Sequence, residues 1–238
     1  MKMYMDKVAV IVTCYNYGKY IHDALDSVFY QTVPPYRIVV IDDCSQDDSW
    51  SVIHQEQSSW AKIGKFFTAY QTPSNGGVAK ARNFGLEKCK DADWVIFFDA
   101  DDKLEANYIQ EVLDTAHMAK VDVVYTDMRL FGIRNDPVSF PEFNELAFRS
   151  NNICHASALI RCDLFDKIGG YDPLYPCYED WGWYLDALRS GARFAKCANT
   201  GLYYRRHTEA RQYQANKGRK DLEARKMLRA KYGDWFFG

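Results

Sequence analysis

The feature that most constrains this chain is a rhythm. Mainly apolar runs at residues 8–12, 37–41 and 94–98 each close on a polar or acidic turn and are followed by a longer stretch of helical periodicity. Runs of that length without polar alternation suit strands covered on both faces. The stretches between them space their apolar residues helically, as Ile21, Leu25, Val28 and Phe29 do within residues 20–31. Short strands alternating with helices predict an α/β fold, with a Rossmann-like, mostly parallel central sheet flanked by helices on both faces. Ligands of such sheets gather at the carboxyl ends of the strands.

The same reading predicts a helix over 46–57 capped by Ser45, a strand over 66–70 and a helix from Gly77 to about Lys88. A helix over 104–120 and a strand over 121–126 follow. After Asp127 the rhythm stops. Residues 128–153 contain Gly132, Pro137 and Pro141 without clear periodicity, so a long loop or an insertion with some structure of its own is expected there. Beyond it the pattern predicts a strand at 156–160, a helix at 164–168, an aromatic helix at 179–189 and two short strands at 193–197 and 202–205. A surface helix over 218–231 alternates basic and apolar residues. These elements divide the chain into one main domain, 1–217, and a C-terminal basic helix or tail, 218–238.

Composition narrows the partners. With 47% hydrophobic and 26% charged residues the chain has ample material for a packed core. A net charge of −2 supplies no basic field for nucleic acid. Seven cysteines, without a CxxC pair, fit neither a closed disulfide framework nor a zinc knuckle, and unpaired thiols suit a reducing cytoplasm. No stretch approaches the roughly 20 apolar residues of a membrane span. A cytoplasmic protein is expected, and peripheral association with the inner face of a membrane is compatible with that.

Three turns carry candidate chemistry. Asp99, Asp101 and Asp102 crowd the end of the most apolar strand, and carboxylates two apart at such a turn can share one hard cation with phosphate oxygens. The competing reading is an acidic turn before the next helix. A haloacid dehalogenase-type phosphatase would need its DxD on the first strand, and residue 103 is Lys. At the second turn, Thr13, Tyr15 and Asn16 lie beside Asp42 and Asp43, so that an exposed ring could stack on a base while a carboxylate accepts from a base N–H. Ordinary Asx-rich turns explain these residues equally. At the third, Asn75, Gly76 and Gly77 open a helix bearing Arg82 and Asn83, an arrangement that lets backbone N–H groups and a guanidinium approach an anion. No GxGxxG or P-loop pattern is present.

Taken in order, Val-Thr-Cys-Tyr-Asn, Val-Ile-Asp-Asp-Cys-Ser, Asn-Gly-Gly through Ala-Arg-Asn, Phe-Asp-Ala-Asp-Asp and Tyr-Glu-Asp-Trp resemble the family 2 glycosyltransferases of the GT-A fold, over about residues 7–207. The resemblance implies a metal-dependent, inverting transfer of a sugar from a nucleotide-diphospho-sugar, UDP-linked by preference, to a glycan or glycolipid acceptor. It implies that Thr13, Tyr15, Asn16, Asp42, Asp43, Asn75, Gly76, Arg82, Asp99 and Ala100 hold the nucleotide and donor. Mn²⁺ or Mg²⁺ would sit on Asp99 and Asp101, with His207 as a further ligand, and Asp180 with Glu179 would supply the base. Trp181 and Trp183, flanking that base, would form a platform for the acceptor sugar, although both could equally be core. Arg211 follows His207 as a candidate diphosphate contact. Two rivals stay open: a non-catalytic nucleotide-sugar-binding protein of the same fold, and a sugar nucleotidyltransferase.

Overall fold

The computed structural model describes residues 6–207 and 218–237, so Arg211 lies outside the described residues. Four strands form the parallel half of the sheet: β1 (Val8–Cys14), β2 (Arg37–Asp42), β3 (Thr68–Gln71) and β4 (Trp94–Asp99). All of β1 is buried, as expected of an unbroken apolar run inside a two-sided sheet. The other half contains β5 (Lys103–Leu104), β6 (Val123–Gly132), β8 (Leu159–Arg161) and β9 (Phe194–Arg206), with β7 (Pro137–Val138) hanging on β6.

The strand order is β3-β2-β1-β4-β8-β6-β9-β5. β3, β2, β1 and β4 run parallel, β8 is antiparallel to both its neighbours, β6 and β9 are parallel, and β5 is antiparallel to β9. From β1 the chain steps outward to β2 and β3 and then returns to β4 on the other side. The carboxyl ends of β1 and β4, where Thr13 faces Asp99, therefore meet at a topological switch point, the usual ligand crevice of such sheets.

Helices cover both faces. α1 (Gly18–Phe29), α2 (Ser49–Ala61) and α4 (Tyr108–Ala119) bury Ile21, Leu25, Ile53 and Leu113 in one core. On the opposite face α3 (Val78–Glu87), α5 (Glu145–Ser150), α6 (Asp163–Ile168), α7 (Glu179–Arg189) and α8 (Arg219–Tyr232) enclose the second core. α3 lies so close to the sheet that a Cβ at Gly85 would come within 2.4 Å of Ile11 Cγ2.

Several elements differ from the sequence expectation for identifiable reasons. α4 starts at Tyr108 rather than 104, because Lys103 and Leu104 pair with Tyr203 and Leu202. α2 starts at Ser49, because Ser45 and Gln46 are bound into the preceding loop by Asp42 and Asn16. The two strands expected near 193–205 are one strand of 13 residues. A register shift, in which Cys197 pairs with Thr126 but Gly201 with Asp127, breaks its periodicity. For residues 128–153 the second alternative, an insertion with some structure of its own, is the one found: they hold the end of β6, β7 and α5. α8 is the expected surface helix, and its apolar residues Ala224, Leu228 and Tyr232 join the core that also contains Trp181 and Tyr184.

Candidate active site

The switch point gathers residues from four elements, β1, β4, α3 and α7. At the ends of β1 and β4, Thr13 Oγ1 donates to Asp99 Oδ1 at 2.9 Å. From α3, Arg82 donates through Nη2 to the same Asp99 oxygen at 3.0 Å and through Nη1 to Glu179 Oε1, the first residue of α7, also at 3.0 Å. Arg82 is 2% exposed. Its planar fork is suited to spanning two carboxylates from different elements. Burial alone would weaken its charge, but Asp99 and Glu179 outweigh that and hold it firmly protonated. Beneath it lies the Tyr171 ring, 5.7 Å away, and Arg82 Nε and Tyr171 Oη are both buried without a hydrogen-bond partner.

Asn83, next along α3, locks the loop that carries Tyr171. Its Nδ2 donates to Tyr171 O and its Oδ1 accepts from Tyr171 N, both at 2.8 Å. The Ala-Arg-Asn run thus combines a charge bridge and a loop clamp on adjacent helix positions.

Asp101 and Asp102 are buried, and both carboxyls are pushed above the ordinary range by desolvation, with neighbouring carboxylates adding to it. Asp101 Oδ2 lies 2.9 Å from His207 Nε2, while His207 Nδ1 is buried without a partner. Arg205 secures the turn, its backbone N–H donating to Asp102 Oδ1 at 2.8 Å and its Nε to Asp101 O at 2.7 Å. Among the described residues no three His, Cys, Asp or Glu side chains are gathered closely enough to hold a metal ion. Asp99 turns toward Arg82 and Thr13, and Asp101 toward His207. The donor chemistry nonetheless fits a hard divalent cation, with carboxylate oxygens, one imidazole and crowded negative charge that lacks a full counter-charge.

The turn after β2 is tied down from within. Asp43, 3% exposed, accepts from Thr72 Oγ1 at 2.9 Å, Gly76 N at 3.0 Å and Gly77 N at 2.7 Å. Gly77, with φ 83°, precedes the first residue of α3, so Asp43 anchors that helix start. Asn75 Nδ2 donates to Asp43 O at 3.2 Å. Asp42 is fully buried and accepts from Ser45 Oγ and from Gln71 Nε2, the latter at 2.8 Å. Asn16 binds Ser45 Oγ through its backbone N–H and Gln46 N through its side chain. A surface cavity of about 490 Å³ beside this loop is lined by Asn16, Lys19, Gln46, Asp47 and Asp48. Tyr15 is 39% exposed and leaves a ring available for stacking. Ala100 is buried, and its backbone N–H donates to Thr13 O at 3.0 Å.

Asp180 is partly exposed, whereas Glu179 is buried against Arg82. Asp180 Oδ1 accepts from Trp181 N at 2.7 Å and Oδ2 from Asn152 Nδ2 at 3.3 Å. Burial and the adjacent Glu179 raise its carboxyl to about 6. The expected sugar platform is corrected. Trp181 and Trp183 are 0% and 3% exposed, and their indole N–H groups donate inward to Phe148 O and Gly169 O. Both rings belong to the core, because the apolar side of α7 faces the sheet. Asn152 and Arg205 had no sequence signal, as each acts from an element far along the chain from the group that it touches.

Residues 9–169 match the profile of a family described as Glycosyl transferase family 2. The chain is 33% identical over 107 residues to the putative teichuronic acid biosynthesis glycosyltransferase TuaG of Bacillus subtilis, covering 45% of this chain and 40% of TuaG. It is 27% identical over 238 residues to WfaP of Escherichia coli, a UDP-Glc:alpha-D-GlcNAc-diphosphoundecaprenol beta-1,3-glucosyltransferase, covering 95% of this chain and 87% of WfaP. The chain spans only 28% of another relative, the teichoic acid poly(glycerol phosphate) polymerase of Staphylococcus epidermidis. Among solved structures, S. aureus TarS 1-349 in complex with UDP-GlcNAc superposes with a TM-score of 0.78 at 22% identity, over 96% of this chain and 67% of that one. The mannosyltransferase PcManGT from Pyrobaculum calidifontis, in complex with GDP-Man and Mn²⁺, reaches 0.70 at 18% identity, over 96% and 69%. These likenesses establish the GT-A architecture.

Proposed function

This chain belongs to glycosyl transferase family 2, and from that premise we propose that it transfers a sugar from a UDP-sugar to a hydroxyl of a glycan or lipid-linked glycan, with inversion at the anomeric carbon. The observation that carries the proposal is the buried Arg82 bridge. It joins Asp99, at the start of the acidic turn, to Glu179, the neighbour of Asp180, and so ties the carboxylates of β4 to the start of α7. The UDP-linked donor is supported by the substrate in the name of WfaP and by the ligand of the TarS complex. The acceptor class is supported by the GlcNAc-diphosphoundecaprenol in the name of WfaP.

In this reading Asp180 accepts the proton of the acceptor hydroxyl as its oxygen bonds to the anomeric carbon, and the nucleoside diphosphate departs from the opposite face. A single displacement needs one in-line base and no covalent nucleophile. A carboxyl raised to about 6 is a stronger base than an ordinary aspartate and is still ionised at neutral pH. Glu179, engaged with Arg82, fixes the start of α7. Asp99, Asp101 and His207 would hold Mn²⁺ or Mg²⁺, which when bound supplies positive charge for the leaving pyrophosphate. Tyr15 offers its ring to the base, and Asn75 and Gly76 border the phosphates.

The test is release of UDP from UDP-glucose and UDP-N-acetylglucosamine with Mn²⁺, for the wild type and Asp180→Asn. Loss of a positioned base lowers turnover by about 100-fold or more. Undiminished turnover in Asp180→Asn removes Asp180 from this role.

A further inference from the structure

We propose that α8 aims the Asp180 carboxylate through a closed ring of contacts, making Tyr178, Asp221, Arg225 and Asn152 positioning residues for the base; this rests on Asp180 being that base. Tyr178, the residue ahead of α7, has φ 62° and ψ 27°. A bulky side chain rarely adopts this left-handed conformation, and it persists only where its surroundings impose it. Tyr178 Oη donates to Asp221 Oδ1 on α8 at 2.6 Å. Both Asp221 oxygens accept from Arg225 Nε, one turn along, at 3.3 Å. Arg225 Nη1 in turn donates to Ser150 O, at the end of α5, at 3.4 Å. Two residues further on stands Asn152, whose amide donates to Asp180 Oδ2. The ring therefore reaches Asp180 from its backbone side through Tyr178 and from its carboxylate side through Asn152.

Attachment of α8 does not require this ring. Ala224 and Leu228 are fully buried, and Tyr232 Oη donates to Gly182 O of α7 at 2.8 Å. The polar ring adds direction to a helix already held by apolar packing. The Arg225 guanidinium also lies over the rings of Tyr178 and Trp181, at 5.7 and 5.3 Å. A group that must meet a proton in the transition state tolerates little displacement, and about 1 Å of misplacement can cost on the order of 100-fold. The Asn152 hydrogen bond also favours the ionised carboxylate, so its loss raises the Asp180 pKa. The other titratable groups interacting with Asp180 are Glu179 on α7, Arg82 on α3, and Tyr171, Cys154 and Tyr184. None of them belongs to the ring.

Tyr178→Phe, Asp221→Asn and Arg225→Met in the full chain test the ring, read as UDP release from UDP-glucose with Mn²⁺ against pH. Each is expected to lower kcat about tenfold, to leave the donor KM within about twofold and to move the acidic limb of kcat to higher pH, with Tm within about 3 °C of wild type. Asn152→Ala, which leaves α8 untouched, should reproduce the shifted limb. If Asp180→Asn is inactive while all four variants keep the wild-type kcat and limb, the ring is a brace without influence on the base and the proposal falls alone. If Asp180→Asn keeps full turnover, the base assignment falls, and the proposal with it.

Discussion

Arg82 concentrates more of the site's electrostatics than any carboxylate does, because a single guanidinium answers both Asp99 and Glu179 from a buried position. Arg82→Met would remove the buried guanidinium that Asp99 and Glu179 share, at a cost of about 3–5 kcal/mol, measurable by denaturant unfolding. Arg82→Lys keeps the charge but cannot fork, so it should unfold less readily than Arg82→Met and still lose turnover. Asp180 predicts a pH dependence with a definite sign. As the proposed base Asp180 would work as the anion, so turnover should rise with pH through about 6 and then level off, as a kcat profile would show. The same raised pKa acts oppositely on stability. The folded state binds this proton more tightly than the unfolded chain, so its contribution is full below the ordinary value near 3.8 and is lost as pH rises through about 6. At this scale the sequence showed the residue types, since Asp99, Asp101, Glu179 and Asp180 all stand in recognisable motifs. It could not show that Asp43 spends its oxygens on Thr72, Gly76 and Gly77, because those partners are set by the return of β3 to the sheet.

Among the elements, α3 has the most demanding placement: Gly85 rests on Ile11, Asn83 holds Tyr171, and Arg82 reaches α7. Gly85→Ala would press a methyl to 2.4 Å from Ile11 Cγ2 with Ile41 Cγ1 at 3.2 Å, and overpacking of this kind costs about 1–3 kcal/mol. Thermal unfolding should show the loss, and turnover should fall with it, since Arg82 rides on the same helix. Strain also clusters by element. Among the described non-glycine residues, φ is positive at Asn16, Cys44, Lys120 and Tyr178; Asn16 and Cys44 lie in the loops after β1 and β2, and Tyr178 immediately precedes α7. The aromatic helix was legible to the residue, 179–189, because its apolar periodicity is strong. β9 was not, because the irregularity at its centre reads as two strands until pairing with β6 joins them.

For the whole molecule, a net charge of −2 hides an uneven distribution, with Asp99, Asp101 and Asp102 crowded at one turn. Mn²⁺ that binds the folded state alone should raise Tm, by about 2.7 kcal/mol of added stability at 100 times its Kd, and Asp101→Asn should remove most of that gain in a thermal-shift titration. No helix among the described residues is long and apolar enough to cross a membrane. The two cores, one on each face of the sheet, explain the aromatic richness: Trp181, Trp183, Tyr184, Phe148 and Phe194 pack together, and no acceptor site is needed to account for them. By itself the sequence determined the alternation of strands and helices, the ends of the strands that carry chemistry and the order of the motifs, because hydrophobic periodicity and turn chemistry act over a few residues. Only the tertiary structure decided that Arg82 joins Asp99 to Glu179, that the indoles of α7 face inward and that α8 ties Tyr178 to the end of α5. Those contacts bring together segments far apart along the chain, and packing in three dimensions selects them without leaving a local pattern.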